Sequence, residues 1–275
     1  MSKIVRSIVI TGNGTNCETE MAHACRLAGS DVVNIVHISE ILHGEKCLDD
    51  YDFLNLPGGF LDGDDLGAAK AGANRILHAP VRTGEDNLYV QLKRFIDDGK
   101  LVLGVCNGFQ LMVKLGILPA FDGALFAQTV TLTHNDSGRF EDRWSYLKVN
   151  ASSPCVFTKN LTDLYLPVRH GEGKLVADSE ETLARIQREN LACLYYSDAK
   201  CKQPVMNYPD NPNGSAGAIA GLCDPTGRLM GLMPHPEAFL HRTNHPRWTR
   251  ETLPEEGHGV ALFRNAVDFI RSGAF

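Results

Sequence analysis

The sequence lacks a long apolar run, a paired-cysteine motif and a secretion signal. No stretch of its 275 residues approaches the roughly 18 apolar residues that a membrane-spanning helix requires. Lys3 and Arg6 interrupt the only early apolar stretch, so the core of a signal peptide does not form. The eight cysteines include no C-x-x-C pair and no Cys/His zinc spacing, which indicates reduced, packed thiols. We therefore expect a soluble, cytoplasmic protein without a metal site.

Positive charge is also scarce. Lysine and arginine number 27 against 33 aspartates and glutamates, and the net charge of −6 disfavours a broad nucleic-acid surface. The chain has no G-x-x-x-x-G-K-[ST] loop, and Gly12-Asn-Gly14 lacks the third glycine of a dinucleotide fingerprint. We expect no nucleic-acid partner, no membrane partner and no cofactor in this chain.

The first half of the chain alternates strand signals with helix signals. Apolar runs predict strands at residues 4–10, 32–36, 53–56 and 101–105, and helical spacing predicts helices around 21–28, 88–96 and 107–115. This alternation predicts an α/β fold with a doubly wound, mostly parallel sheet flanked by helices. The length and ordinary globular composition suit one domain over residues 1–275.

The second half carries a different pattern. Two apolar runs between residues 219 and 233 flank Asp224-Pro-Thr-Gly227, which suits a type I turn and predicts an added hairpin. Apolar residues at helical spacing predict a closing helix over residues 260–271. In a doubly wound sheet, reactive groups collect beyond the carboxyl ends of the strands. The residues that follow the predicted strands are therefore the first candidates for a site.

The segment Gly104-Val-Cys106-Asn-Gly108 joins an apolar strand to a helix. This pattern has the form of a nucleophile elbow, in which glycines let the backbone turn sharply and expose the nucleophile. At a helix N-terminus the dipole favours a thiolate, and free N–H groups can stabilise an oxyanion. The alternative is a buried structural cysteine between two packing glycines. The strand before Cys106 and the helix after it favour the nucleophile.

A candidate base lies in the segment Met233-Pro-His235-Pro-Glu237, after the second strand of the predicted hairpin. Histidine suits general-base work near neutrality, and a nearby carboxylate can orient it and stabilise the imidazolium. By itself, the motif is typical of an exposed loop. Its pairing with the elbow favours a triad of Cys106, His235 and Glu237, on the assumption that the fold brings them together.

Two glycines follow the predicted strand at residues 53–56, in the segment Pro57-Gly58-Gly59-Phe60. Glycines let backbone N–H groups approach a tetrahedral intermediate closely. We therefore expect the N–H groups of Gly59 and Asn107 to form an oxyanion hole. A simple loop entry is the alternative for this segment.

These motifs together resemble those of the class I, or triad, glutamine amidotransferases, whose fold is flavodoxin-like. Four further segments resemble the glutaminase part of phosphoribosylformylglycinamidine synthases, enzymes of purine biosynthesis: residues 14–18, 137–143, 169–173 and 219–239. The resemblance implies that Cys106 attacks the glutamine amide, that His235 protonates the departing ammonia, and that water hydrolyses the thioester. It also implies substrate contacts from a set of further residues: Gly58, Phe60, Gln110, Arg143, His170, Gly171 and Glu172.

The same resemblance implies a synthase partner that receives the ammonia and carries ATP and magnesium. A small accessory subunit is a further candidate partner. Two segments, 180–213 and 241–258, look longer than in compact free-standing glutaminase subunits and resemble the fused single-chain synthase. His241 and His245 have metal-like spacing, but a solvated loop is the better interpretation because no further ligand pattern completes a site.

Two rival functions stay open at this point. Another triad amidotransferase or a γ-glutamyl hydrolase would share the fold and the triad. A non-catalytic thiol sensor or regulatory subunit would use Cys106 without a general base. The segments that resemble the purine enzyme disfavour the first rival, and His235 with Glu237 disfavours the second.

Overall fold

In the computed structural model, which describes residues 3–82 and 87–273, β-strands and α-helices alternate along the chain. The strands are β1 (Arg6–Thr11), β2 (Val32–His37), β3 (Phe53–Leu56), β4 (Leu101–Val105), β5 (Val130–Thr133), β6 (Glu141–Val149), β7 (Asp163–His170), β8 (Lys174–Ala177), β9 (Ala192–Ser197), β10 (Ile219–Cys223) and β11 (Leu229–Leu232). The helices are α1 (Glu18–Leu27), α2 (Ile38–Leu42), α3 (Lys70–His78), α4 (Leu88–Asp97), α5 (Asn107–Leu115), α6 (Glu180–Arg188) and α7 (Val260–Arg271).

Nine strands form one sheet in the order β2-β1-β3-β4-β11-β10-β9-β6-β7. The ladders that join β2, β1, β3, β4 and β11 are all parallel. Every residue of β4 is buried, as expected for a parallel strand that is covered on both faces. Helices flank this half of the sheet: α1 packs against α7, and α3 packs against α4 and α5. The α/β class and the parallel core are confirmed.

The other half of the sheet is antiparallel. Each of β10, β9, β6 and β7 runs opposite to its neighbour, beginning from β11. After these four reversals, β7 runs in the same direction as the parallel strands. Its carboxyl end therefore reaches the same edge of the sheet as the carboxyl ends of β1, β3, β4 and β11.

The antiparallel half is strongly curved. In a flat sheet, four strand spacings of about 4.8 Å would separate β11 from β7 by about 19 Å. Instead, the His235 N–H, just beyond β11, donates a hydrogen bond of 2.8 Å to the carbonyl of Pro167 in β7. The sheet thus folds back on itself, and the end of β7 lies beside the end of β11.

The predictions for the parallel half hold closely. β3, β4, α5 and α7 have the predicted bounds, while β1 begins at Arg6 and β2 extends to His37. The predicted hairpin is present as β10 and β11, but it lies inside the main sheet, because β11 also pairs with β4 in parallel register.

Segment 180–213, which looked like added material, contributes integral structure. It contains α6 and β9, and β9 pairs with both β10 and β6 in the main sheet. The Gly/Ala-rich stretch before α4 contains α3. Gly72 explains its composition, because a Cβ at this position would lie 2.9 Å from Leu61 Cδ2. Small residues here allow close packing rather than a loop.

The sequence predicted reduced thiols and no membrane-spanning helix. Within residues 3–82 and 87–273, none of the helices combines the length and apolar character needed to cross a bilayer. All eight cysteines lie in this part of the chain, and all are free thiols.

Gly231 in β11 holds α5 close to the sheet, and its replacement tests that packing. A Cβ at Gly231 would lie 2.0 Å from Cδ2 of Phe109, which is buried in α5. We expect Gly231→Ala to lower the free energy of unfolding by about 1–3 kcal/mol through overpacking. Denaturant unfolding measures this change. Gly171→Ala is the control, since its Cβ would meet only Phe140, at 3.9 Å; equal losses in both variants would contradict the packing argument.

Candidate active site

The strand directions bring distant segments to one edge of the sheet. Beyond the carboxyl ends of β1, β3, β4 and β11 lie Cys17, the Gly58-Gly59 pair, Cys106 and His235, respectively. β7 delivers residues 169–172 to the same edge. This is the position where ligands bind in open α/β sheets.

Cys106 occupies a sharp turn between β4 and α5. Its backbone has φ +51° and ψ −104°, a conformation that side-chain-bearing residues rarely adopt. Both flanking glycines are required: a Cβ at Gly104 would lie 2.7 Å from the Gly108 carbonyl, and one at Gly108 would lie 1.9 Å from Leu56 O. The elbow geometry predicted from G-x-C-x-G is therefore present in the backbone.

His235 and Glu237 form a buried pair next to this turn. The His235 Nδ1 and Glu237 Oε1 atoms are 2.6 Å apart, and their side chains are only 3% and 1% exposed. With the Nδ1 proton directed at Glu237, Nε2 is the ring nitrogen left for proton exchange; it has no hydrogen-bond partner among the described residues.

The charge state of His235 follows from these neighbours. Burial lowers the pKa of His235, but the Glu237 carboxylate and then the Cys106 sulfur outweigh burial and raise this pKa well above its usual value. An anionic partner favours the imidazolium. The pair is thus suited to hold a proton close to Cys106.

Gly59, the predicted oxyanion donor, forms an isolated antiparallel bridge with Thr15. Two hydrogen bonds flank it, from Asn16 N to Gly58 O (3.2 Å) and from Phe60 N to Gly14 O (2.7 Å). In such a bridge, the N–H of the middle residue points away from the partner strand. Only glycine fits here, because φ is +137° and a Cβ would lie 2.6 Å from Gly14 O.

Asn107 is the first residue of α5, where backbone N–H groups lack an acceptor within the helix. Its buried side chain holds neighbouring loops in place: Oδ1 accepts from the Leu61 N–H (2.9 Å), and Nδ2 donates to Gln110 Oε1 (3.1 Å). Gln110 in turn donates to the Glu172 carbonyl (2.6 Å). The Gln110 amide therefore positions the segment after β7.

A cavity of about 1430 Å³ covers these groups. Nine of the residues predicted from the sequence line it: Cys106, His235, Glu237, Gly59, Phe60, Gln110, His170, Gly171 and Glu172. Gly58 lies against the His235 ring, since a Cβ there would be 2.8 Å from His235 Cε1. Asn107 is buried at the start of α5. The cavity is several times larger than a glutamine molecule, so it extends beyond a substrate of that size.

Arg143 is a predicted site residue that lies outside the cavity, and in the part of the chain that the structure describes it has no hydrogen bond or ion pair with the His235 ring or with α5 to link it to the site. Its guanidinium pairs with Glu141 (2.6 Å) and contacts the Tyr208 hydroxyl (2.5 Å), and it is not among the lining residues in the described ranges. Arg169, which belongs to the 169–173 motif but had no predicted role, lines the cavity instead. Arg143 and Arg169 stand on the neighbouring strands β6 and β7, and only Arg169 reaches the cavity wall.

Asn135 and Asn213 were not predicted, and they hold the His170 segment. Asn135 Oδ1 accepts from the Gly173 N–H (3.0 Å) and lies 3.1 Å from His170 Nδ1, while Asn213 Nδ2 donates to the Gly173 carbonyl (2.8 Å). Burial, and then the charge of His235, lowers the pKa of His170 to about 3. His170 is consequently a neutral hydrogen-bonding group. Single asparagines in loops carry no sequence signal of this role.

Cys17 and Asp64 also line the cavity without having been predicted as site residues. The Cys17 Sγ lies 4.0 Å from His235 Nδ1, and burial raises the pKa of this thiol. Burial, and then the Glu172 carboxylate, raises the pKa of Asp64. Cys17 belongs to the Gly14–Glu18 motif, and this motif was the only feature of the sequence that could have indicated a place for Cys17 in the site.

The histidines of segment 241–258 do not share a metal site. His241 Nε2 pairs with Glu255 (2.5 Å), whereas His245 packs against the rings of Trp144, Tyr165 and Phe239. His245 is buried, so this part of the segment is not the solvated loop that the sequence suggested.

A sharp strand-to-helix turn at a cysteine and a buried His–Glu pair at one edge of an α/β sheet are the arrangement expected of a triad-type cysteine amidase. The family model for the CobB/CobQ-like glutamine amidotransferase domain matches residues 4–270, and the chain belongs to this glutamine amidotransferase family.

Full-length relatives narrow the family further. The chain is 45% identical over 273 residues to phosphoribosylformylglycinamidine synthase subunit PurQ of Dehalococcoides mccartyi, covering 98% of this chain and 99% of that one. It is 40% identical over 237 residues to the phosphoribosylformylglycinamidine synthase of Drosophila melanogaster, covering 85% of this chain and 17% of that one. The chain therefore belongs to the PurQ family. Chains as long as this one therefore occur as separate subunits, and not only as parts of fused synthases.

Solved structures confirm the fold. A chain of the PurLQS structure from Thermotoga maritima matches with a TM-score of 0.68 and 24% identity, covering 98% of this chain and 100% of that one. A glutamine amidotransferase from Thermotoga maritima matches with a TM-score of 0.50 and 17% identity, covering 90% of this chain and 81% of that one.

The pKa of His235 tests the electrostatics of the buried pair. Glu237→Gln removes the largest contribution that raises this pKa and leaves the opposing effect of burial in place. We expect the pKa of His235 to fall, so that the imidazole becomes neutral at lower pH than in the wild type. NMR titration of the imidazole signals measures the change. Glu172→Gln is the control, and an unchanged titration of His235 in Glu237→Gln would contradict the assignment.

Proposed function

We propose that this chain is the glutaminase subunit of a phosphoribosylformylglycinamidine synthase, which hydrolyses L-glutamine and delivers ammonia to a synthase partner in purine biosynthesis. The observation that carries the chemistry is the position of Cys106 and the His235–Glu237 pair on the wall of one cavity. The full-length similarity to PurQ subunits supports the pathway. We assign this role to one amidotransferase domain over residues 1–275.

The first half of the reaction forms a thioester. The Cys106 sulfur bonds to the side-chain carbonyl carbon of glutamine, and the carbonyl oxygen becomes an oxyanion. The N–H groups of Gly59 and Asn107 donate to this oxygen. The carbon–nitrogen bond then breaks, and the His235 imidazolium gives its proton to the departing ammonia. The raised pKa of His235 suits this acid role.

The second half releases glutamate. A water molecule gives a proton to the now neutral His235 and attacks the thioester carbonyl. The carbon–sulfur bond breaks, glutamate leaves, and Cys106 returns as a thiolate beside the imidazolium. Glu237 keeps the ring oriented in both halves through its 2.6 Å contact with Nδ1.

The charges around the cavity suit the amino-acid end of glutamine. Arg169 is the only arginine or lysine that lines the cavity among the described residues, and we assign it to the substrate α-carboxylate. Asp64 and Glu172 are close enough for Glu172 to raise the pKa of Asp64, and we assign them to the α-ammonium group. A bound cation between these carboxylates would relieve their repulsion.

The synthase partner completes the reaction. Ammonia released into bulk water would be protonated and lost, so the product must pass directly to the site that consumes it. ATP and magnesium belong to that partner in this proposal, and a small accessory subunit is a further candidate component. A cytoplasmic location suits this assignment and the eight free thiols.

Glutamine hydrolysis tests the nucleophile. We expect Cys106→Ala to lower kcat for glutamate release about 1,000-fold or more, because no other thiol stands at the elbow. The assay compares the chain alone with the chain plus its synthase partner, and we expect activity to rise with the partner. Cys201→Ala is the control, because the Cys201 thiol lies away from the cavity. There it donates a hydrogen bond of 3.5 Å to the Asp198 carbonyl. Unchanged turnover in Cys106→Ala would refute the triad.

Substrate affinity distinguishes the two arginines. We expect Arg169→Met to raise KM for glutamine about tenfold to a hundredfold, as loss of a charge-assisted hydrogen bond predicts. Arg143→Met removes the same charge from the neighbouring strand and should leave KM nearly unchanged, because Glu141 already pairs with it. Steady-state kinetics measures both values. A larger rise in KM for Arg143→Met than for Arg169→Met would instead assign the substrate contact to Arg143.

A further inference from the structure

Cys17 is a second thiol in the cavity that the proposed reaction does not use. It directly precedes α1, it is half-buried, and its Sγ donates to Asn16 Oδ1 at 3.1 Å. The same sulfur lies 4.0 Å from His235 Nδ1. A thiol in this position can reach Nδ1 of the imidazole. The proposed reaction uses Nε2, on the other side of the ring.

Cys17, His235 and Glu237 together present a metal-binding donor set. One ligand atom from each residue lies within 4.8 Å of the other two. Thiolate, imidazole and carboxylate are the common zinc ligands, and in a tetrahedral shell their atoms lie roughly 3.3–3.6 Å apart. The observed separations of 4.0 and 2.6 Å differ from this range by less than about 1 Å. Small side-chain rotations would therefore close the shell.

A second observation points to a ligand at this cluster. Glu237 Oε2 is buried and has no hydrogen-bond partner among the described residues, although the side chain is only 1% exposed. An unpaired buried carboxylate oxygen is unfavourable, and metal coordination satisfies it. A thiolate, a carboxylate and a neutral imidazole also balance the charge of a divalent ion. Water or a cavity ligand would complete the fourth position.

We propose that Cys17, His235 and Glu237 form a Zn²⁺ site whose occupancy blocks glutamine hydrolysis. The blocking half of this inference rests on the proposed function. A zinc ion on Nδ1 takes the place of the proton that Glu237 holds there, so the histidine can no longer be oriented and protonated for catalysis. The Cys17 thiol and His235 Nδ1 each lose a proton to solvent when the metal binds.

The cluster also discriminates among divalent ions. Mg²⁺ and Ca²⁺ require about six or more oxygen ligands, whereas this cluster offers a single carboxylate with sulfur and nitrogen. The magnesium that the synthase partner uses would therefore not occupy it. Soft or borderline ions such as Zn²⁺ and Co²⁺ would bind.

Metal binding is tested on the full-length chain with Co²⁺ as a spectroscopic probe and Zn²⁺ as its competitor. We expect one Co²⁺ per chain, a thiolate-to-cobalt charge-transfer band in the near ultraviolet, and loss of this band when Zn²⁺ is added. Cys17→Ser and Cys17→Ala should abolish the band and weaken Zn²⁺ binding at least about tenfold. Cys106→Ser and Cys201→Ser are the controls and should keep it, and thermal unfolding checks that each variant is folded.

The inhibitory effect is measured separately from binding. Zn²⁺ should inhibit glutamate release by the wild type, a chelator should restore it, and Mg²⁺ should have no effect. Inhibition of Cys17→Ser, relative to its own zinc-free rate, should need at least about tenfold more Zn²⁺. A cobalt band that persists without Cys17, or that disappears in Cys106→Ser, would overturn the ligand set. Absence of glutaminase activity with an intact cobalt band would refute the proposed function and not the metal site.

Discussion

The hydrogen bond from the His235 N–H to the Pro167 carbonyl joins the two ends of the curved half of the sheet. β7 is the last strand in the sheet order, yet this bond places its carboxyl end beside the turn that follows β11. Without this closure, residues 169–172 would lie far from Cys106. With it, Cys106 Sγ reaches the carbonyl of Arg169 at 3.5 Å. The cavity therefore depends on sheet curvature as much as on the sequence of its lining.

The parallel half of the fold could be predicted from the sequence, because its strands are uniformly apolar and its helices are amphipathic. In the antiparallel half, only the β10–β11 hairpin could be predicted. β6 begins with the charged residues Glu-Asp-Arg, which do not form an apolar strand pattern. Glu141 is nevertheless buried, because it pairs with Arg143. The same limit applies to the site. Cys106, His235 and Glu237 belong to compact motifs, whereas Asn135 and Cys17 acquire their surroundings from segments many residues away, and no local pattern records those contacts.

His170 and His235 show how one cavity gives two histidines opposite properties. Both are buried, and burial lowers the pKa of each. His235 faces the carboxylate of Glu237 and the sulfur of Cys106, which together outweigh burial and favour the imidazolium. His170 faces the neutral amides of Asn135 and Asn213, and the charge of His235 lowers its pKa further. Of these two buried histidines, only His235 is favoured in its protonated form.

The backbone at Cys106 is strained, and several contacts hold it in place. A residue with φ +51° and ψ −104° costs on the order of 1–3 kcal/mol. The Cys106 N–H donates to Leu232 O (2.8 Å), and its carbonyl accepts from the Gln110 N–H (3.0 Å). The hydrogen bond to Leu232 connects the elbow to the end of β11, and His235 follows three residues later. The hydrogen bond from Gln110 is the first of α5. The same contacts that offset the strain also set the position of Cys106 relative to His235, so a relaxed elbow would change their alignment.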